Sequence, residues 1–282
     1  MSIFNAIMNS LFNVILFPFK GMPPVVGLAV FSVVAGVLLL LLYKYTSPQK
    51  RIKTVKARIK AGLLAIRIFK DDLGVLSNAI GRLFLKDIPH YLGCNFIPLV
   101  PLVVIVVPML VQLDSRYGFA PFKTGDRFVL EVTLSEDLDP KTALLGDVAL
   151  DLPDGLVVES GPVRIPEKNE IAYRIRVDQE GDYDLTIRAL GTDYTKNLAA
   201  AADLPPTISS ARFSVTETWD LFENPVESPW PSDSAIKSIK IRDQARIAML
   251  GIDGDYYPWL IIFCIVGLAF GFALKGVFKV NI

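Results

Sequence analysis

The chain has 282 residues, 52% of them apolar, with 29 Lys/Arg against 29 Asp/Glu and a formal net charge of zero. That apolar share lies above ordinary soluble-domain usage and far above the range of a disordered chain. The balanced charge offers none of the basic surplus that DNA binding uses, so DNA is not expected as a partner.

Residues 1–20, MSIFNAIMNSLFNVILFPFK, lack the positive n-region and the small-residue cleavage site of a signal peptide. Asn5, Asn9 and Asn13 recur every four residues, which sets one amide stripe on an otherwise apolar helix. Such a helix either lies in the membrane interface as an anchor or packs its stripe against a polar groove. Pro18, Pro23 and Pro24 end it before residues 24–43, PVVGLAVFSVVAGVLLLLLY, an uncharged run long enough to cross a bilayer.

Residues 44–88 follow as a basic helical segment. Between 44 and 86 stand eleven Lys/Arg and two acids, Asp71 and Asp72. Apolar residues from Ile52 to Leu83 are spaced by threes and fours, so one face is continuous. Gly62, Gly74 and Gly81 are the weak points, and a helical hairpin or a helix packed beneath the membrane would cover the stripe. Lys50, Arg51, Lys53, Lys56, Arg58 and Lys60 fill the other face. They form either a solvated surface or a contact for anionic lipid or ribosomal RNA. A second uncharged run, residues 91–113, carries Pro98, Pro101 and Pro108, with Asn95 and Gln112 near its ends. Its freed carbonyls need partners, so it is expected to pack against protein or line a polar cavity.

Beyond residue 114 the texture changes to period-two alternation. FVLEVTL, VALDL, LVVES, IAYRIRV, YDLTIRAL and ARFSVTET read as strands, IKSIKIRD adds another, and residues 219–235 read as irregular. Residues 114–255 are thus expected to form an antiparallel sandwich, and EGDYDLTIRA resembles the tyrosine corner of immunoglobulin-like domains, with Tyr183 entering a late strand. Residues 257–276 form a third apolar span, in which Gly267 and Gly271 make a GxxxG pair for close helix packing.

Charge fixes the expected orientation. Lys/Arg-rich short loops stay in the cytoplasm, while 26 of the 29 acids fall in residues 114–255. The expected fold class is therefore an integral membrane α-helical core with an extracytoplasmic all-β immunoglobulin-like sandwich. Its core has three transmembrane helices, an N-terminal interfacial helix and a cytoplasmic helical segment. The N-terminus and β domain face outward, the C-terminus is cytoplasmic, and the site is the inner membrane of a bacterium. Cys94 and Cys264 differ in depth by more than about 10 Å, past the roughly 7 Å disulfide limit, and read as apolar packing residues.

The single histidine, His90, has no partners for a triad or a metal site, and no phosphate-binding loop occurs. No enzyme, metal or cofactor is expected. The Asp253-Gly254-Asp255 stretch is too short for a calcium loop and reads as a turn.

The first 125 residues and the last helix resemble the YidC-type membrane insertase superfamily, whose small three-helix members include the insertase subunit of the endoplasmic reticulum membrane complex. The likeness rests on the first span running into YKYTSPQKRIKTVKARIK, the basic segment, and a proline-bearing second span leaving through LVQLDSRYGFAPFKTGD. It implies a groove open to lipid and cytoplasm for client helices, with Asn5, Asn9, Asn13, Lys20, Asn95 and Gln112 as candidate polar lining. It also implies a basic segment that meets the client or the ribosome. The chain departs from the family in having no cation inside its spans and in placing a β domain between helices two and three. Two functions follow as expectations: an insertase-like biogenesis factor acting on client membrane proteins, or a non-enzymatic structural or adaptor subunit of a cell-envelope complex. A ligand-sensing sandwich is a weaker third.

Overall fold

The computed structural model describes residues 2–19, 21–135, 148–200 and 207–281. The chain divides into two compact units, Met1–Leu28 with Pro108–Ile261, and Ala29–Val107 with Ile262–Ile282. Lys20 lies outside the described residues.

The first unit contains eight strands, of which β1, β4 and β5 alternate most clearly: β1 (Arg127–Leu134), β2 (Val148–Asp151), β3 (Leu156–Ile165), β4 (Glu170–Val177), β5 (Gly181–Ala189), β6 (Thr192–Ala200), β7 (Ala211–Phe213) and β8 (Ile236–Arg242). They form two antiparallel sheets, ordered β3-β4-β1-β8-β7 and β2-β5-β6. Phe128, Leu130 and Val132 of β1 point inward and meet Leu185 and Ile187 of β5 in one shared core. Tyr183 donates its hydroxyl to the Gln179 carbonyl at 2.8 Å, four residues upstream. Gly155 and Gly181 make room for that ring, and Gly155 sits at φ +103. The ion pairs Arg127–Glu159 and Arg242–Glu131 lie on exposed faces, where such pairs contribute about 0–1 kcal/mol.

β6 was not among the expected strands. Its inward positions are Tyr194, Lys196, Leu198 and Ala200, and a lysine in the apolar series hides the alternation. Lys196 is fully buried. All three ammonium protons are used, on the carbonyls of Asn197 (2.9 Å) and Ser209 (2.7 Å) and on Glu227 Oε1 (2.5 Å). Burial pushes its pKa down, and the Glu227 carboxylate opposes that shift. The expected strand ARFSVTET is also shortened. The strand itself covers only Ala211–Phe213, and helix α6 (Thr218–Glu223) begins at the last residue of that expected strand and runs into the segment expected to be irregular.

The helices before the domain are α1 (Ser2–Leu16), α2 (Pro24–Thr46), α3 (Gln49–Ile68), α4 (Leu73–Arg82) and α5 (Ile88–Tyr117). Residues 24–46 and 73–117 are each helical over a length, and with an apolar content, sufficient to cross a membrane. The last helix, α7 (Pro258–Leu274), has 17 residues, roughly 25 Å at 1.5 Å per residue. It is shorter than the expected span 257–276 because Tyr256 ends a 3₁₀ turn and Tyr257 takes a left-handed conformation.

In the second unit the basic segment folds as a hairpin. α3 stops at Ile68, and Asp72 caps α4 by accepting from the Gly74 and Val75 amides at 3.0 and 3.1 Å. Ile52, Val55 and Leu83 are buried, yet Leu63, Phe69, Leu73 and Ile80 of the same apolar stripe stay exposed. Folding back therefore covers only part of the stripe. Residues 83–87 take a π-helical turn, and α5 stays helical through all three expected proline kinks. Pro98 and Cys94 face inward, whereas Phe96, Ile97, Val100 and Val104 are exposed. Close packing to protein, expected for this span, is thus limited to one side.

α2 and α7 cross at glycine. A Cβ on Gly36 would stand 2.5 Å from the Gly267 carbonyl oxygen, while one on Gly271 would meet Gly36 O at an ordinary 3.7 Å. Gly36→Ala should lower stability in detergent by about 1–3 kcal/mol through this overlap. Gly81→Ala, with nothing near its added Cβ, should be neutral or stabilising by up to about 1 kcal/mol. Thermal denaturation of the two variants compares them directly. In the sandwich, Lys196→Ala leaves the buried Glu227 carboxylate with only one cation, the more distant Arg212 guanidinium 3.8 Å away, at an expected cost of about 3–5 kcal/mol, whereas Lys196→Met with Glu227→Leu should restore most of it. A double-mutant cycle by chemical denaturation measures both.

Candidate functional site: the amide clasp

The inward side of α1 carries Asn5 and Asn9 with Phe12 and Leu16, while its outward side is mostly apolar. Asn5 and Phe12 are buried, whereas Ile3, Ile7, Leu11 and Val14 are exposed. This is the reverse of a helix on a soluble surface. The reversal follows from what the asparagines meet.

Asn5 donates to the Leu221 carbonyl at 2.7 Å, and Asn9 donates to the Pro225 carbonyl at 2.6 Å. Both acceptors belong to the stretch WDLFENPVESPW, residues 219–230. The two pairs share a sequence offset of 216. On its other flank α1 meets the end of α5. Gln112 Nε2 donates to Asn9 Oδ1 at 2.9 Å, and Arg116 Nη2 donates to Asn13 Oδ1 at 2.8 Å, both with an offset of 103. Four-residue spacing on α1 is thus matched by four-residue spacing on two neighbours. On α1 and α5 one helical turn per step keeps the pairs in register, while Pro225 lies just past the end of the helix that carries Leu221.

Arg116 completes the cluster. Its Nη1 donates to the Gln112 side-chain oxygen at 2.6 Å and to the Gln112 carbonyl at 3.1 Å, and its guanidinium lies 5.8 Å from the Phe12 ring centre. The side chain is buried. Among the described residues no carboxylate stands within ion-pair distance of it. Neutral amide oxygens and an aromatic face carry the charge.

The acceptor stretch is itself pinned to the sandwich. Leu221 packs in a buried cluster with Ala211 and Phe213 of β7. Glu227 takes the buried Lys196 ammonium. Arg212 donates to the Ser228 carbonyl at 2.8 Å and lies 4.7 Å over the Trp230 ring. The end of α5 is joined to the domain by backbone bonds, Ile208 N to Ser115 O at 2.9 Å and Ile247 N to Gly118 O at 3.1 Å. Arg246 adds an ion pair to Asp114 at 3.1 Å and lies over the Tyr257 ring at 3.9 Å. A cavity of about 310 Å³ opens beside the stretch, between Asp114, Ser209, Asp220, Asn224, Lys240 and Arg242.

Four of the six candidate groove residues, Asn5, Asn9, Asn13 and Gln112, are therefore brought together. They bond to one another, to Arg116 and to the domain. Asn95 belongs to the other unit, where it accepts from the Tyr43 hydroxyl and donates to the Tyr91 carbonyl. Arg116 was not anticipated, because it lies just past the apolar run. Its spacing of four from Gln112 is the signal that could have found it. Of the basic candidates on α3, Lys50, Arg51, Lys53, Arg58 and Lys60 are exposed, and Lys56 is partly buried with Nζ 6.0 Å from the Tyr91 ring centre. Gly267 lies against Gly36 as described above. Cys94 and Cys264 are both free thiols. Asp253 caps the turn at 254–256, accepting from the Asp255 amide. Among the described residues no group of three His, Cys, Asp or Glu converges as a metal site.

Comparison with protein-family models, with curated proteins and with solved structures gave no match to this chain.

Asn9 is the hub, bonded on both sides. Asn9→Leu should cost about 1–3 kcal/mol, since it leaves the Gln112 amide and the Pro225 carbonyl without their partner. Ser10→Leu, on the exposed side of the same turn, should cost little. Hydrogen exchange across residues 3–16 in detergent should rise for the first variant and not for the second.

Proposed function

We propose that this protein is a membrane-embedded, non-enzymatic biogenesis factor of the insertase type, receiving apolar segments of client membrane proteins. One observation carries the proposal: the α3–α4 hairpin presents exposed apolar side chains, among them Leu64, Ile68, Phe69 and Leu73, beside the exposed cations of α3. An apolar surface without cover in water favours association with another apolar segment. A cationic rim favours anionic lipid headgroups or the ribosome. Helices long and apolar enough to span a bilayer, and the outward apolar side of α1, support a membrane setting. In the orientation proposed from charge, the hairpin is cytoplasmic and the β domain is extracytoplasmic, in the inner membrane of a bacterium.

A second proposal is favoured by the clasp. Asn5, Asn9, Asn13 and Gln112 are engaged in internal hydrogen bonds, and Asn5 and Gln112 are buried. A β domain fixed in this way suits a structural or adaptor subunit of an envelope complex, with partners bound through an immunoglobulin-like sandwich.

The two are separated by crosslinking. Photoreactive residues at Leu64, Phe69 and Leu73 should give adducts with nascent membrane proteins if the hairpin receives clients. No adducts, together with unchanged membrane-protein insertion after depletion, would remove the insertase proposal. Stable heteromeric complexes recovered through the β domain would then favour the adaptor.

A further inference from the structure

Helix α6 carries a chain of aromatic rings that the clasp does not use. Leu221 points inward onto Ala211 and Phe213. Trp219 and Phe222 lie elsewhere on the helix, with ring centres 5.8 Å apart, and Phe222 continues to Phe4 of α1 at 6.5 Å. Trp219 is 67% exposed. Its indole N–H is already satisfied by Glu223 Oε1 at 2.7 Å, one turn on. The ring thus presents apolar surface with its one polar atom tied back to its own helix. From Phe4 the exposed surface runs on through Ile3, Ile7 and Leu11 of α1.

We infer that this aromatic ridge, Trp219–Phe222–Phe4, is a membrane-seating surface of the β domain that enters the interfacial region of the lipid leaflet. Three observations select lipid over a protein partner. The ridge is continuous with the outward side of α1, which is mostly apolar and holds Asn5 and Asn9 inward. Tryptophan is one of the side chains that settle at the headgroup level, and the two phenylalanines add apolar surface beside it. The charges on α6 itself are the carboxylates Asp220 and Glu223, with Glu217 just before it, and Lys237, Lys240 and Arg242 flank them in the adjoining cavities. Mixed charge of this kind gives little net attraction to anionic headgroups, so seating proceeds by insertion of the rings and needs only neutral lipid. The inference rests on the membrane setting proposed above. It adds that the β domain lies down on the bilayer and does not stand clear of it.

The test uses the full chain reconstituted in phosphatidylcholine vesicles. The Trp219 signal is taken as the fluorescence difference between wild type and Trp219→Phe, which leaves Trp230 and Trp259 in both. Lipid brominated along its acyl chains should remove much of that difference signal, and its emission should lie to the blue of a water-exposed indole. Iodide quenching without bromolipid quenching would overturn the inference. So would shielding from both quenchers, which would mean that protein covers the ridge. A control places tryptophan in α2, as Val34→Trp in the Trp219→Phe background. Bromolipid quenching of Trp introduced there, with none at Trp219, refutes the seating alone. Absence of quenching at both refutes the membrane setting as well.

Discussion

Hydrogen bonds from the α1 asparagines decide which way that helix faces. A primary amide in apolar surroundings without a partner costs on the order of several kcal/mol, and in hydrocarbon no water can substitute. Asn5, Asn9 and Asn13 therefore have to meet protein, and the protein they meet is the 221–225 carbonyl series and the Gln112–Arg116 pair. With those bonds made, Ile3, Ile7, Leu11 and Val14 have only the outside left to face. The exposed apolar surface of α1 is a consequence of its satisfied polar side.

The stretch 219–230 concentrates the consequences. It accepts from α1, buries Leu221 on β7, delivers Glu227 to Lys196 and carries Trp219. The prolines at 225, 229 and 231 keep it from pairing as a strand, which leaves its carbonyls free to accept from side chains. The buried ion pair is a poor source of net stability, because desolvation offsets most of the Coulombic attraction. Its effect is positional. Glu227 accepts from Lys196 and from the Asn197 amide, which anchors the stretch whose carbonyls two and six residues earlier receive α1.

Sequence pattern revealed what repeats and concealed what is unique. Strands β1, β4 and β5 alternate cleanly and were legible, as were β8, despite its adjacent buried Ser238 and Ile239, and the two long apolar runs. β6 was not, because Lys196 occupies an inward position that alternation assigns to an apolar residue. α6 was hidden by the prolines that follow it, although its single turn needs no long pattern. The amide stripe was visible in residues 1–20, but a stripe does not name its partner. That required seeing that 112 and 116, and 221 and 225, share its spacing of four. The hairpin turn fell at 69–72, where Asp72 supplies a cap, close to Gly74 but not at a glycine.

These bonds also weigh on what the molecule can do. A polar passage through a membrane protein needs donors and acceptors that are free to solvate a guest. Here the asparagines and Gln112 are committed to one another and to the domain, and Asn95 is committed to Tyr43 and Tyr91. A client could compete for them only by breaking bonds made in an environment where each is strong. The unspent interaction capacity lies in the exposed apolar side chains of the α3–α4 hairpin and in the ridge at Trp219. Chemistry of that kind selects partners by hydrophobic burial, which is non-directional and tolerant of sequence. Recognition of many unlike apolar segments, or of lipid, suits it better than recognition of one defined polar ligand.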